Sequence, residues 1–126
     1  MIAVDTSSFV AYLSGLQGPD VDMVDQSLLD KQVVFPPPVL TELLSDPKLP
    51  PEVRQLILDV PLLVIADGFW ERAGILRAKI LARGCKSRLA DCLIAQNCID
   101  HNVRLITRDK DFRHYIKIAR LKIVSG

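Results

Sequence analysis

Met1-Ile2-Ala3-Val4-Asp5-Thr6-Ser7-Ser8 opens the chain with an apolar run that breaks into an acid and three hydroxyl residues. A short apolar run ended this way reads as a buried strand, and Asp-Thr-Ser-Ser as the start of a helix. Asp5 then stands at the carboxyl end of the strand. The same grammar recurs near the other terminus, where Val103-Arg104-Leu105-Ile106-Thr107 reads as a strand and Asp109 follows it after Arg108. Residues 32–35, 62–65 and 121–124 are further strand candidates. Between them, helices are expected over about 9–13, 20–30, 39–44, 53–58, 69–83, 88–102 and 111–117. Pro36-Pro37-Pro38 leads into the third of these, since proline is tolerated in a first turn. Asp67 is the expected cap of the 69–83 helix, whose Trp70, Ala73, Leu76 and Ile80 follow helical spacing. Apolar strands alternating with helices predict a three-layer α/β domain with a mainly parallel central sheet flanked by helices.

A chain of 126 residues with 49% apolar residues suits one domain, residues 1–126, closing one core. No stretch approaches the roughly 20 apolar residues of a membrane span, and no basic segment leads into an apolar run, so no membrane or export role is expected. Cys85, Cys92 and Cys98 are odd in number and lack Cys-x-x-Cys spacing, which predicts reduced thiols in a cytoplasmic protein. The net charge of +1 decides nothing about a polyanionic partner, because phosphate binding depends on local patches.

In an open α/β sheet, sites form outside the carboxyl ends of the strands. Asp5 and Asp109 both stand at such ends, although each also reads as a helix cap. Asp91 projects, at about 100° per residue, into the arc of Ile94, Ala95, Cys98 and Ile99. A carboxylate on an apolar face needs hydrogen bonds, a cation or a proton; the plain alternative is a partner for the helix N-terminus. Glu42 lies at the border between an apolar face and water, where an ordinary helix glutamate would also lie. Four carboxylates without histidine or cysteine make a hard oxygen site suited to Mg²⁺ or Mn²⁺. Such a site can generate a hydroxide nucleophile and stabilise an in-line displacement at phosphorus. Thr107 and Thr6 place hydroxyls beside the acids.

Asp5-Thr6-Ser7, a helical glutamate after the second strand, Asp91-Cys92-Leu93-Ile94-Ala95 and Leu105-Ile106-Thr107-Arg108-Asp109-Lys110-Asp111-Phe112 together resemble, in order and spacing, the PIN-domain nucleases. In size the chain is most similar to the VapC-type toxins of prokaryotic toxin–antitoxin pairs. The resemblance runs over residues 1–124. It implies a Mg²⁺- or Mn²⁺-dependent endoribonuclease with Asp5, Glu42, Asp91 and Asp109 as catalytic, metal-binding acids and Thr107 as a supporting hydroxyl. It also implies a homodimer, restrained by an antitoxin whose C-terminal segment lies over the site. Asp111 reads as a helix cap, and Cys92 stands where relatives often carry a small residue.

Arg77, Lys79, Arg83, Lys86 and Arg88, with Arg108 and Arg113, could follow a phosphate backbone. Of these, Lys86, Arg88 and Arg108 flank the acids and are the expected substrate contacts. Arg77 and Lys79 read as a solvated helix face, Phe69 and Trp70 as core or dimer interface, and His101 and His114 carry no expected catalytic role. A phospho-acceptor receiver would add an acidic pair after the first strand, and a haloacid-dehalogenase-like phosphatase would want Asp-x-Asp there; the chain has neither. The remaining alternatives are an inactive PIN-like RNA- or protein-binding module and a PIN nuclease of RNA processing.

Overall fold

Four short parallel strands form where the apolar runs predict them: β1 (Ile2–Val4), β2 (Val33–Val34), β3 (Leu105–Thr107) and β4 (Ile123–Ser125). The computed structural model describes residues 1–125, so Gly126 lies outside the described residues. The sheet order is β2-β1-β3-β4. β1 and β2 are joined by α1 (Thr6–Leu13) and α2 (Pro19–Leu29). The chain then crosses to the other side of β1 through α3 (Pro37–Leu44), α4 (Pro51–Asp59), α5 (Phe69–Ala82) and α6 (Leu89–His101). A single 3₁₀ turn (Lys110–Phe112) and α7 (Arg113–Ala119) connect β3 to β4. The strand order therefore reverses between β1 and β3, which makes their carboxyl ends the natural crevice of the sheet.

Register fixes what meets there. Val4 pairs with Ile106 and Ala3 with Leu105. The Asp5 amide continues the ladder by donating to the Ile106 carbonyl at 2.9 Å. All residues of β1, β2 and the described length of β3 are buried. They join Phe9, Phe35, Val39, Ile80, Ile94, Phe112 and Tyr115 in one core cluster. Phe9 meets Phe35 edge to face, with centroids 5.0 Å apart. No helix among the described residues is long and apolar enough to cross a membrane.

Three expectations are corrected. Residues 62–65 do not form a strand: Leu62 makes only an isolated parallel bridge with Phe35. Pro36 and the start of α3 turn the neighbouring chain away, and the Val64 carbonyl is held instead by Asn97 Nδ2 at 3.2 Å and by the His101 ring. Asp67 is not the cap of α5; that position is Gly68, at φ 78°. The buried stripe of α5 is Phe69, Ala73, Leu76 and Ile80, and Trp70 is 62% exposed.

The loop leaving β3 is clamped by a fork of charge-assisted hydrogen bonds. Arg108 donates from Nε to Asp20 Oδ2 at 2.8 Å and from Nη2 to Asp20 Oδ1 at 2.9 Å. Asp20 is fully buried at the start of α2, and its Oδ2 also accepts from the Ser8 hydroxyl at 2.8 Å. Gly18, at φ 149°, admits this pair: a Cβ there would lie 2.7 Å from Asp20 Oδ1 and 3.1 Å from Arg108 Nη2. The Arg108 hydrogen bonds, against the opposing effect of burial, hold the Asp20 carboxyl down at about 2.

Asp20→Asn should destabilise the protein by about 1–3 kcal/mol, less than loss of a wholly buried pair because Arg108 keeps some solvent. The folded pKa of Asp20 lies below the 3.8 of a free carboxyl. Its stabilisation is therefore present above pH 3.8 and lost as pH falls through about 2. Urea unfolding across that acid window should show a shallower pH dependence in Asp20→Asn than in the wild type.

Candidate functional site

Three elements bring acids to the crevice. Asp5 follows β1 directly and precedes α1, but its side chain makes no capping hydrogen bond to that helix. Asp91 lies in the first turn of α6. Asp109 follows β3 by two residues and caps the 3₁₀ turn, its Oδ1 accepting from the Asp111 amide at 2.9 Å. Thus Asp109 is the cap and Asp111, expected to be one, is not. Asp111 instead turns its carboxylate towards Asp91 and Asp109, and one oxygen from each of the three lies within 4.8 Å of the others.

Thr107 is the hub behind this group. It is 1% exposed, its hydroxyl donates to Asp5 Oδ2 at 2.9 Å, and its oxygen accepts the Asp109 amide at 3.0 Å. Asp5 Oδ2 accepts a second hydrogen bond from the Ser7 hydroxyl at 2.7 Å. The compact carboxylate group therefore contains Asp91 and Asp109 but not Asp5 or Glu42. Asp5 stands beside it in a cradle of hydroxyls, close enough for its charge to act on Asp91. Glu42, on α3, is exposed at the rim, where its Oε1 accepts from the Thr6 hydroxyl at 2.7 Å.

The electrostatics are those of like charges crowded in a partly dry crevice. Burial is the largest effect on Asp91, and the charges of Asp5 and Asp109 add to it; Arg88 opposes them and Glu42 contributes least. Together they push the Asp91 carboxyl up to about 6. Burial also raises Asp5, although hydrogen bonds from Ser7, Thr107 and the Thr6 amide pull the other way. Asp91 Oδ2 is buried without a hydrogen-bond partner among the described residues. A buried anionic oxygen in that state is costly unless a cation compensates it. Three carboxylates with no nitrogen or sulfur donor fit a hard divalent ion such as Mg²⁺ or Mn²⁺. Asp91, Asp109 and Asp111 are the residues that would hold it.

Basic residues around the acids divide into two kinds. Lys86 is exposed, with Nζ 4.0 Å from Asp111 Oδ2, and Arg88 is exposed at the N-cap position of α6. Arg108, expected to meet substrate, is committed to Asp20 and to the Gln17 carbonyl, so its guanidinium is spent on the fold. Arg77, expected on a solvated face, donates from Nε to the Ser87 carbonyl at 3.0 Å. Ser87 also shares a buried 2.6 Å hydrogen bond with the Tyr115 hydroxyl, so the loop that presents α6 is pinned from two sides.

Sequence reasoning passed over Ser7 as a partner of Asp5, Asp20 as the anchor of Arg108, and Asp111 as a member of the carboxylate group. Only the last left a readable trace, the Asp-x-Asp spacing of residues 109–111. The three cysteines are unpaired, and Cys92 Sγ donates to the Ala73 carbonyl at 3.2 Å within the α5–α6 interface.

A parallel β2-β1-β3-β4 sheet with carboxylates gathered at its β1/β3 edge defines a class, and the sequence comparison agrees: the PIN domain family model matches residues 2–118, and the chain belongs to that family. It is 30% identical over 132 residues to the ribonuclease VapC11 of Mycobacterium tuberculosis, covering 99% of this chain and 98% of the relative. A VapC ribonuclease of Mycobacterium bovis is equally similar. Among solved structures, VapBC2 of Rickettsia felis, bound to a DNA fragment from its promoter, shares the fold with a TM-score of 0.71 at 24% identity over 100% of this chain and 99% of that one. FitAcB of Neisseria gonorrhoeae shares it with a TM-score of 0.71 at 16% identity, over 99% and 97% of the two chains.

In the metal-free protein, the Asp91 side-chain carbon followed by NMR should titrate near pH 6, well above an exposed aspartate. Asp109→Asn removes one of the like charges and should move that titration towards lower pH. An Asp91 that titrates like an exposed carboxylate would show that the crevice is neither dry nor crowded.

Proposed function

We propose that this protein is a Mg²⁺- or Mn²⁺-dependent endoribonuclease and the toxin of a VapBC-type toxin–antitoxin pair. The observation that carries the reading is the clustering of the Asp91, Asp109 and Asp111 carboxylates at the edge of the sheet, with one Asp91 oxygen buried and unpartnered. Full-length similarity to proteins named VapC ribonucleases supports RNA as the substrate. A bound divalent ion would supply Lewis-acid polarisation of the phosphate and acidification of the attacking water.

The chain's own residues supply the rest. Asp91, Asp109 and Asp111 would hold the ion, and Thr107 holds the backbone of Asp109 while bonding to Asp5. Asp5 adds negative charge from a fixed position, since both Ser7 and Thr107 orient one of its oxygens. Glu42 and Thr6 form the outer rim of the acidic edge. Lys86 and Arg88, exposed beside the acids, serve as phosphate contacts for the RNA.

Two partners follow from the same reading. That structural neighbours include members of toxin–antitoxin systems supports an antitoxin partner for this chain. A homodimer is supported by an apolar surface groove lined by Ile65, Phe69, Trp70, Ala90 and Leu93, in which Trp70 is 62% exposed.

Purified protein should cut a total cellular RNA pool with Mg²⁺ or Mn²⁺ and not with EDTA, and Asp5→Asn and Asp91→Asn should abolish the cutting. Thr107→Val, which leaves the acids in place but removes their hub, should lower the rate by about 10–100-fold, as loss of a group orienting a metal ligand does. Wild-type protein that is free of any bound partner and cuts nothing with either metal would replace the nuclease reading with that of a binding module.

A further inference from the structure

A polyanion gains no affinity from a cluster of carboxylates, so a nuclease built on this site must hold its substrate elsewhere. Such a place lies next to the acids. The end of α5 and the loop after it face α7 across a groove of about 660 Å³ lined by Arg83, Cys85, Arg113, His114, Lys117 and Ile116, with Ile118 beside them. Among the described residues, the side chains of Arg83, Arg113 and Lys117 make no ion pair, and no acid lines the groove.

Two segments of chain lead from the groove to the carboxylate group. Lys86 follows Cys85 directly and reaches to 4.0 Å from Asp111, and Arg113 stands two residues after Asp111. Its chemistry is that of a single-strand track: cations for successive phosphates, with the apolar faces of Ile116 and Ile118 and an imidazole between them for the sides of unstacked bases. A protein segment seated on an apolar groove would not require three uncompensated cations unless that segment were acidic.

Resting on the ribonuclease reading, we infer that the α5–α7 groove binds the backbone of single-stranded RNA leading away from the scissile phosphate, with Arg83, Arg113 and Lys117 as its phosphate contacts. Arg108, which flanks the acids in sequence, is locked to Asp20 and takes no part. The groove thereby extends the RNA contacts beyond Lys86 and Arg88 onto the end of α5 and onto α7.

The test uses the full chain carrying Asp91→Asn, which prevents cutting, and a fluorescein-labelled single-stranded RNA followed by anisotropy across a salt series. Adding Arg83→Glu and Lys117→Glu should weaken binding by at least about tenfold and reduce the slope of log K against log salt by about 0.7 per lost phosphate contact. The pair Lys48→Glu, in the turn before α4, and Arg54→Glu, on α4, makes the same change in net charge outside the groove lining and should leave the slope intact. Circular dichroism melting of each variant separates loss of binding from loss of folding, and Arg83→Gln with Lys117→Gln provides a gentler substitution should the reversals unfold. An unchanged slope in the groove variants or an equal fall in the Lys48 and Arg54 pair would each overturn the assignment. Any of these in a protein that still cuts RNA would remove the groove and leave the nuclease reading standing, whereas failure of the wild type to cut or bind RNA would remove both.

Discussion

The pairing of β1 with β3 is the constraint on which the rest of the molecule depends. These strands are distant in sequence, yet Val4 sits beside Ile106, and the Asp5 amide closes the ladder on the Ile106 carbonyl at 2.9 Å. Because both strands run the same way and the strand order reverses between them, both release their chains at one edge. Asp5 and the Thr107–Asp109 segment are delivered to the same crevice by backbone register alone. Helix α6 packs beside that edge and adds Asp91 from its first turn. No pair of these acids is brought together by attraction; the burial of apolar strands holds them against their mutual repulsion.

That repulsion is managed by hydroxyls and by geometry. Thr107 donates to one acid and accepts from the backbone of the next, and Ser7 gives Asp5 a second donor. Asp109 is partly satisfied by the Asp111 amide. Asp91 receives no such help at Oδ2, and its high pKa records the strain. A fully hydrogen-bonded cluster would be more comfortable and less able to take a cation. The site therefore stores electrostatic stress at the point where a divalent ion would relieve it, as functional sites commonly do.

Cations near the acids serve two separate purposes. Arg108 secures the loop that carries Asp109, because its planar fork matches both oxygens of buried Asp20. Arg77 similarly steadies the loop ahead of α6 through the Ser87 carbonyl. Lys86, Arg88 and the cations lining the α5–α7 groove remain directed to solvent. Sequence proximity to the acids does not separate these roles, since Arg108 is directly next to Asp109 and yet is engaged by Asp20.

The sequence by itself determined the strand runs, the helices between them, and the placement of Asp5 and Asp109 after strands, because period and punctuation are local properties. It also exposed Asp91, since a carboxylate within an apolar helical arc is anomalous in one dimension as well as three. It misjudged residues 62–65, whose apolar character is that of a strand but whose neighbour turns away after Phe35. It counted Trp70 in the helical stripe of α5 and left Phe69 and Trp70 alike as core or interface; Phe69 is the buried one and Trp70 is exposed. Only the tertiary structure decided which of two aspartates two residues apart caps the turn and which does not. Only it could join Asp20 to Arg108 across 88 residues. Such partners are chosen by distance and direction in space, and neither is written in the spacing of a linear chain.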